Sequence, residues 1–141
     1  MDLLSIRLLL DFGLMVLIWT VQLVIYPGLC HYRQEELGKW HSIYTQRIGV
    51  IVGPLMIAQL AVCILQLWQE KNLYTWGSLV IILLTWILTF LIFVPLHNSI
   101  SPDKPCEEIT NSLVIKNWWR TWLWSVLFLG SLGLMITDYN F

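Results

Sequence analysis

Two histidines, His41 and His97, stand near phenol, amide and guanidinium side chains at the ends of long apolar runs. Imidazole titrates near pH ~6.5, so a pair of them can serve as general acid and general base. Tyr26 and Tyr44 would supply hydrogen-bond donors, and Arg47 and Arg120 would stabilise a developing oxyanion. Asn98 and Asn117 complete the candidate set. The same imidazoles could hold a metal, or the iron of a bis-His haem whose propionates meet Arg47 and Arg120. Two His without a carboxylate on those faces make a thin metal set. The third histidine, His31, sits among Arg33, Glu35 and Glu36 and reads as a solvated loop residue. No Glu-x-x-His di-iron motif, Gly-x-Ser-x-Gly elbow, P-loop or dinucleotide fingerprint occurs.

Spacing sorts these groups onto faces. Gln22 and Tyr26 are an i,i+4 pair and share one face of a helix. His41, Tyr44, Thr45 and Ile48 repeat at helical intervals, as do Asn117, Arg120, Thr121 and Trp124. Trp86, Phe90, Phe93 and His97 step by four, three and four, which predicts a single stripe ending on an imidazole. If the stripes face inward, they enclose a pocket that is aromatic below and polar at its mouth. Such a shape suits a lipophilic molecule with one polar end.

The elements that must position these residues follow from composition. The chain has 141 residues, 57% hydrophobic and 12% charged, with a net charge of −1. Charge on this scale is about half that of a soluble domain, and it provides no basic face for nucleic acid. Four stretches, about 3–26, 42–68, 73–94 and 117–136, are long and apolar enough to cross a bilayer. They read as helices, since the period-two alternation of a membrane barrel is absent. The expected fold is therefore all-α: one integral-membrane four-helix bundle with antiparallel, up-down connectivity. Pro27-Gly28 should stop the first span and Pro95 the third, and residues 107–116 should form a short surface helix. Odd spans end and even spans begin on one side, so the polar groups of all four meet at one depth.

Lys and Arg place that side in the cytoplasm and the termini outside. Arg33, Lys39, Arg47, Lys104, Lys116 and Arg120 flank the two longer loops, against Arg7 and Lys71 opposite. Trp40, Trp118, Trp119, Trp122 and Trp124 mark one interface, and Trp68, Trp76 and Tyr139 the other. Arg7 and Asp11, one turn apart, read as an ion pair near the outer interface where water is close. Gly49 and Gly53 form a small-xxx-small pattern for close helix approach, and Pro54 should kink the second span. Asn117 could also act merely as a helix N-cap. Cys63 reads as a buried hydrophobe, and a bridge between Cys30 and Cys106 is sterically open. The turn residues Ser101, Pro102, Asp103, Lys104 and Pro105 open the third loop.

The run Phe93-Val-Pro95-Leu-His97-Asn98-Ser-Ile, followed by Asn117-Trp-Trp-Arg120-Thr-Trp122, resembles the small four-span membrane family that includes anthrone oxygenases. Gln22…Tyr26-Pro27 is similar in style. The chain departs from that family at His97, where Asn is more usual, and at His41-x-x-Tyr44. The resemblance implies a membrane pocket on the loop side with His97, Asn98 and Arg120 at matching positions, and for some members oxygenation of polycyclic phenols. The expected function is an enzyme of oxygenase or acid/base type acting on a lipophilic small molecule. The alternatives are a lipid, pigment or haem binder without turnover, and a non-catalytic subunit that packs against itself or other membrane proteins among the lipids.

Overall fold

The computed structural model describes residues 2–100 and 107–139, without the side chains of Gln34, Asp138 and Tyr139. Cys106, the turn residues 101–105 and the side chain of Tyr139, each assigned a role from the sequence, lie outside the described residues. Four long helices account for nearly everything else, and the described residues contain no strand: Leu3–Leu29, Gln34–Gln69, Leu73–Asn98 and Glu107–Tyr139. Each is long and apolar enough to cross a membrane. The first packs against the second and fourth, and the third also against the second and fourth, so the four close a ring. Side-chain caps start two of them. Asp2 accepts from Ser5 N–H at 2.6 Å, and that bond holds its carboxyl below the usual carboxylate range. Asn72 and Thr75 exchange bonds of 2.9 and 3.1 Å, a capping box that lets the third helix begin directly after the second ends.

The prolines do not stop the helices. Pro27 has no N–H for the carbonyl of Leu23, and its ring crowds that oxygen. The turn ahead of it widens instead into a π turn, Val21–Ile25, in which Tyr26 N–H donates to Val21 O. Pro95 has the same effect: Thr89–Phe93 is a π turn, and Val94 N–H donates to Thr89 O. Both helices then continue, to Leu29 and Asn98. At the same end, the second helix begins at Gln34 rather than 42. The fourth begins at Glu107, with no separate surface helix, so Asn117 is mid-helix and caps nothing. Pro54 lies within the unbroken second helix.

Each π turn accommodates one extra residue, which rotates the remainder of its helix by about 100° relative to a continuous α-helix. The four-three-four stripe is therefore broken. Phe93 is buried, but Phe90 is 55% exposed, its ring tilted by 30° against that of half-buried Trp86 with centroids 5.6 Å apart. Two further expectations fail on contact. A Cβ added at Gly49 or Gly53 would meet nothing within 4 Å, so neither marks a close helix approach here. Trp124 belongs to no interfacial belt, for it is buried and its Nε1 donates to Gln59 Oε1 at 3.3 Å.

Arg7 and Asp11 do pair, at 2.9 Å, but not beside water: both side chains are 0% exposed. Gln59 Nε2 donates to Asp11 Oδ1 at 2.6 Å, and Arg7 Nη1 donates to Gln66 Oε1 at 3.3 Å. The first and second helices are thus joined by an ion pair wrapped in amides. Asp11→Leu, which leaves the guanidinium without its anion, is expected to cost about 3–5 kcal/mol. Thermal unfolding in detergent reads this out, and Arg7→Leu added to Asp11→Leu should recover much of the loss. A stable single variant would contradict this role for the pair.

Candidate functional site

A cavity of about 470 Å³ opens between the helices at the end where residues 30–33 join the first two. Leu17, Val21, Ile48, Val52, Phe93 and Trp124 make its apolar wall, and Tyr26, His41, Tyr44, His97 and Arg120 its polar one. All four helices contribute. The π turns decide what the first and third present, since Tyr26 follows one directly and Phe93 closes the other.

The polar wall is a single hydrogen-bonded string. Arg120 Nη2 donates to Tyr26 Oη at 3.1 Å, Tyr26 Oη meets His97 Nε2 at 2.9 Å, and His97 Nδ1 meets His41 Nε2 at 2.7 Å. The two imidazoles meet edge to edge, with centroids 4.8 Å apart and planes 27° from parallel. Arginine has donors only, so Tyr26 Oη accepts from Arg120 and has its own O–H to offer His97 Nε2. In the tautomer that takes this bond, His97 carries its proton on Nδ1 and donates to His41 Nε2. Tyr44 closes the side of the pair, its ring 6.2 Å from His41 and 6.4 Å from His97.

Arg120 is 7% exposed and is held from four directions. Its Nε and Nη2 both donate to Asn117 Oδ1, at 3.0 and 2.6 Å. Its Nη1 reaches Thr89 Oγ1 at 3.5 Å, the limit of a hydrogen bond, and its guanidinium carbon lies 3.5 Å above the Phe93 ring. Asn117 in turn donates to Gln22 Oε1 at 2.9 Å, and Gln22 Nε2 donates to Val114 O at 3.1 Å. The amides are braces: they tie the first helix to the fourth and aim the guanidinium at Tyr26.

Of the residues singled out in the sequence, Tyr26, His41, Tyr44, His97 and Arg120 come together in the cavity wall. Asn117 lies behind them and does not line it, while Asn98 is exposed at the rim. Arg47 does not line the cavity: it stands about 95° around the helix from the centre of the face made by His41, Tyr44 and Ile48, and its side chain is exposed. His31 is exposed, as expected of a loop residue, and Cys30 is an exposed free thiol. Thr89 was missed, for nothing distinguishes it from any other threonine in an apolar run.

A bis-His haem does not fit this geometry: trans ligation at about 2.0–2.1 Å per bond holds the two nitrogens about 4 Å apart, and the facing nitrogens are 2.7 Å apart. Among the described residues no group of three or more His, Cys, Asp or Glu comes together to hold a metal. His97 also has its second nitrogen engaged by Tyr26. In comparison with known proteins, no family model, curated protein or solved structure matches the chain.

Tyr26→Phe keeps the ring against Phe93 but removes the oxygen shared by Arg120 and His97. Leaving these buried groups unpartnered is expected to lower stability by about 1–3 kcal/mol, measured by chemical unfolding in mixed micelles. An unchanged midpoint would show that the phenol oxygen is not the link.

Proposed function

We propose that this chain is a multi-pass membrane protein whose cavity is the acid/base site of an enzyme acting on a lipophilic small molecule. In this reading the four helices cross the bilayer in alternating directions, with the cavity near one interface. The outer surface supports insertion: Leu23, Val24, Val50, Ile57 and Leu91 are all more than half exposed. Exposed Trp118, Trp119 and Trp122 on the fourth helix, against Trp68 and Trp76 at the opposite end, suit two interfacial belts. The surplus of Lys and Arg around the first and third loops places those loops in the cytoplasm and the termini outside.

The observation that carries the functional reading is the unbroken string from Arg120 to His41 set into an otherwise apolar cavity. Its chemistry follows from its direction. His41 gives its Nδ1 proton to the bound molecule, His97 passes its Nδ1 proton to His41 Nε2, and Tyr26 passes its hydroxyl proton to His97 Nε2. The phenolate left on Tyr26 lies against the Arg120 guanidinium, which stabilises it. Run backwards from that phenolate form, the same string takes a proton from the molecule and ends with every group neutral except Arg120. The resemblance at residues 93–100 and 117–122 makes a polycyclic phenol one molecule of the required kind, and oxygenation the step that proton removal would prepare.

The test uses the molecules that co-purify with the protein, profiled by mass spectrometry in wild type and His97→Ala. At least one lipophilic species is expected to be depleted in the variant. Returned to the wild type in heavy water, that species should take up deuterium at carbon. His41→Gln should slow this exchange by about a hundredfold to ten-thousandfold, the range for general acid–base catalysis. Identical profiles together with unchanged exchange would overturn the proposal.

A further inference from the structure

Two arginines are buried in this bundle, and they are treated differently. Arg7 has a carboxylate, Asp11, at 2.9 Å. Arg120 has none: among the described residues its partners are the Asn117 and Tyr26 oxygens, the Thr89 hydroxyl and the face of Phe93, all neutral. Burying a cation without an anion is costly, and buried charges in proteins are ordinarily paired. The pair at Arg7 meets this requirement within the same four helices. At Arg120 no described residue meets it, and the guanidinium is one of the groups lining the cavity. Its Nη1, on the Thr89 side, has the weakest partner of its three nitrogens.

We propose that the cavity's ligand supplies the missing charge: it is a lipophilic molecule whose polar end is an oxyanion, a carboxylate or an acidic enol, received by Arg120. The inference rests on the cavity being a ligand site and adds the charge of what enters it. An oxyanion accepting from Nη1 would form the charge-assisted pair that Asp11 forms with Arg7. The rest of the molecule would lie along Leu17, Val21, Ile48 and Val52. A cavity of about 470 Å³ accommodates a single chain or a small fused-ring system.

The test is equilibrium binding to the full chain in lipid nanodiscs, read by native mass spectrometry. Two matched pairs are used: dodecanoate against dodecanol, and naphthoate against naphthalenemethanol. In wild type at least one anion should bind about tenfold or more tightly than its neutral twin, as a hydrogen bond to a charged group would give. The pair that shows the preference identifies a chain or a flat ring as the preferred body. Arg120→Gln should abolish the preference and Arg120→Lys should keep most of it. Asn117→Asp, which leaves Arg120 in place but gives it an internal carboxylate, should abolish it as well. Helical content and unfolding of each variant show whether it has folded, so at least one variant decides.

Five results would overturn the inference. Equal binding of acid and alcohol in wild type leaves the cavity a ligand site but removes its charge preference. Binding of neither removes both. An anion preference that survives Arg120→Gln places the receiving cation elsewhere. Finally, tyrosinate absorbance at neutral pH that is lost in Tyr26→Phe, or an anion preference that arises only in Asp103→Asn, would mean the chain supplies its own counter-anion.

Discussion

A guanidinium in an apolar bundle can only donate hydrogen bonds, and this limits what every neighbour of Arg120 can do. Asn117 must turn its carbonyl oxygen toward Arg120, which leaves its amide nitrogen for Gln22. Tyr26 must accept, which leaves its O–H to offer His97, and the tautomer of His97 that takes it turns a proton toward His41. Through Tyr26 and His97, one residue on the fourth helix is linked to all three of the others. The arrangement differs from a salt bridge, where the partner carboxylate would absorb the charge and leave the phenol free to point elsewhere. In that tautomer the two imidazoles meet edge to edge through one ring N–H and one lone pair, with centroids 4.8 Å apart.

The backbone device behind this geometry is the pair of π turns, one in the first helix and one in the third, each just ahead of a proline. Without the added residue, Tyr26 and His97 would be rotated by about a quarter of a turn or more and their meeting lost. Proline alone would have broken each helix or kinked it. The wide turn spreads the mismatch and lets the chain continue to Leu29 and Asn98, which carries His97 to the level of His41. The two halves of the bundle are also stabilised differently. At the far end a closed ion pair with amides around it stitches the first two helices together. At the cavity end a lone cation is braced by neutral oxygens and an aromatic face.

Depth was legible in the sequence and direction only in part. Counting residues along apolar runs is enough to bring Tyr26, His41, His97 and Arg120 to one level, because that depends only on span length and alternation. The faces of the second and fourth helices were also readable, since 3.6-residue periodicity holds from His41 to Ile48 and from Asn117 to Trp124. It failed where the backbone leaves that period. Phe90 was placed inward because no sequence rule signals a π turn, although the residues before Pro27 and Pro95 are where one should be sought. Arg47 was included for its chemistry, although it lies at the edge of the face that His41, Tyr44 and Ile48 present, and its side chain turns out to be exposed. The burial of Arg7 and Asp11 was hidden because their partners, Gln59 and Gln66, come from another helix and carry no motif.

The proton positions on the two imidazoles test the central claim most directly. Solid-state NMR on the protein labelled with nitrogen-15 at histidine, in lipid bilayers, resolves which ring nitrogen of His41 and His97 carries hydrogen and whether the two rings share a hydrogen bond. Both protons are expected on Nδ1, with His97 donating to Nε2 of His41. A proton found on Nε2 of His97, or two rings without a mutual bond, would contradict a string directed by Arg120.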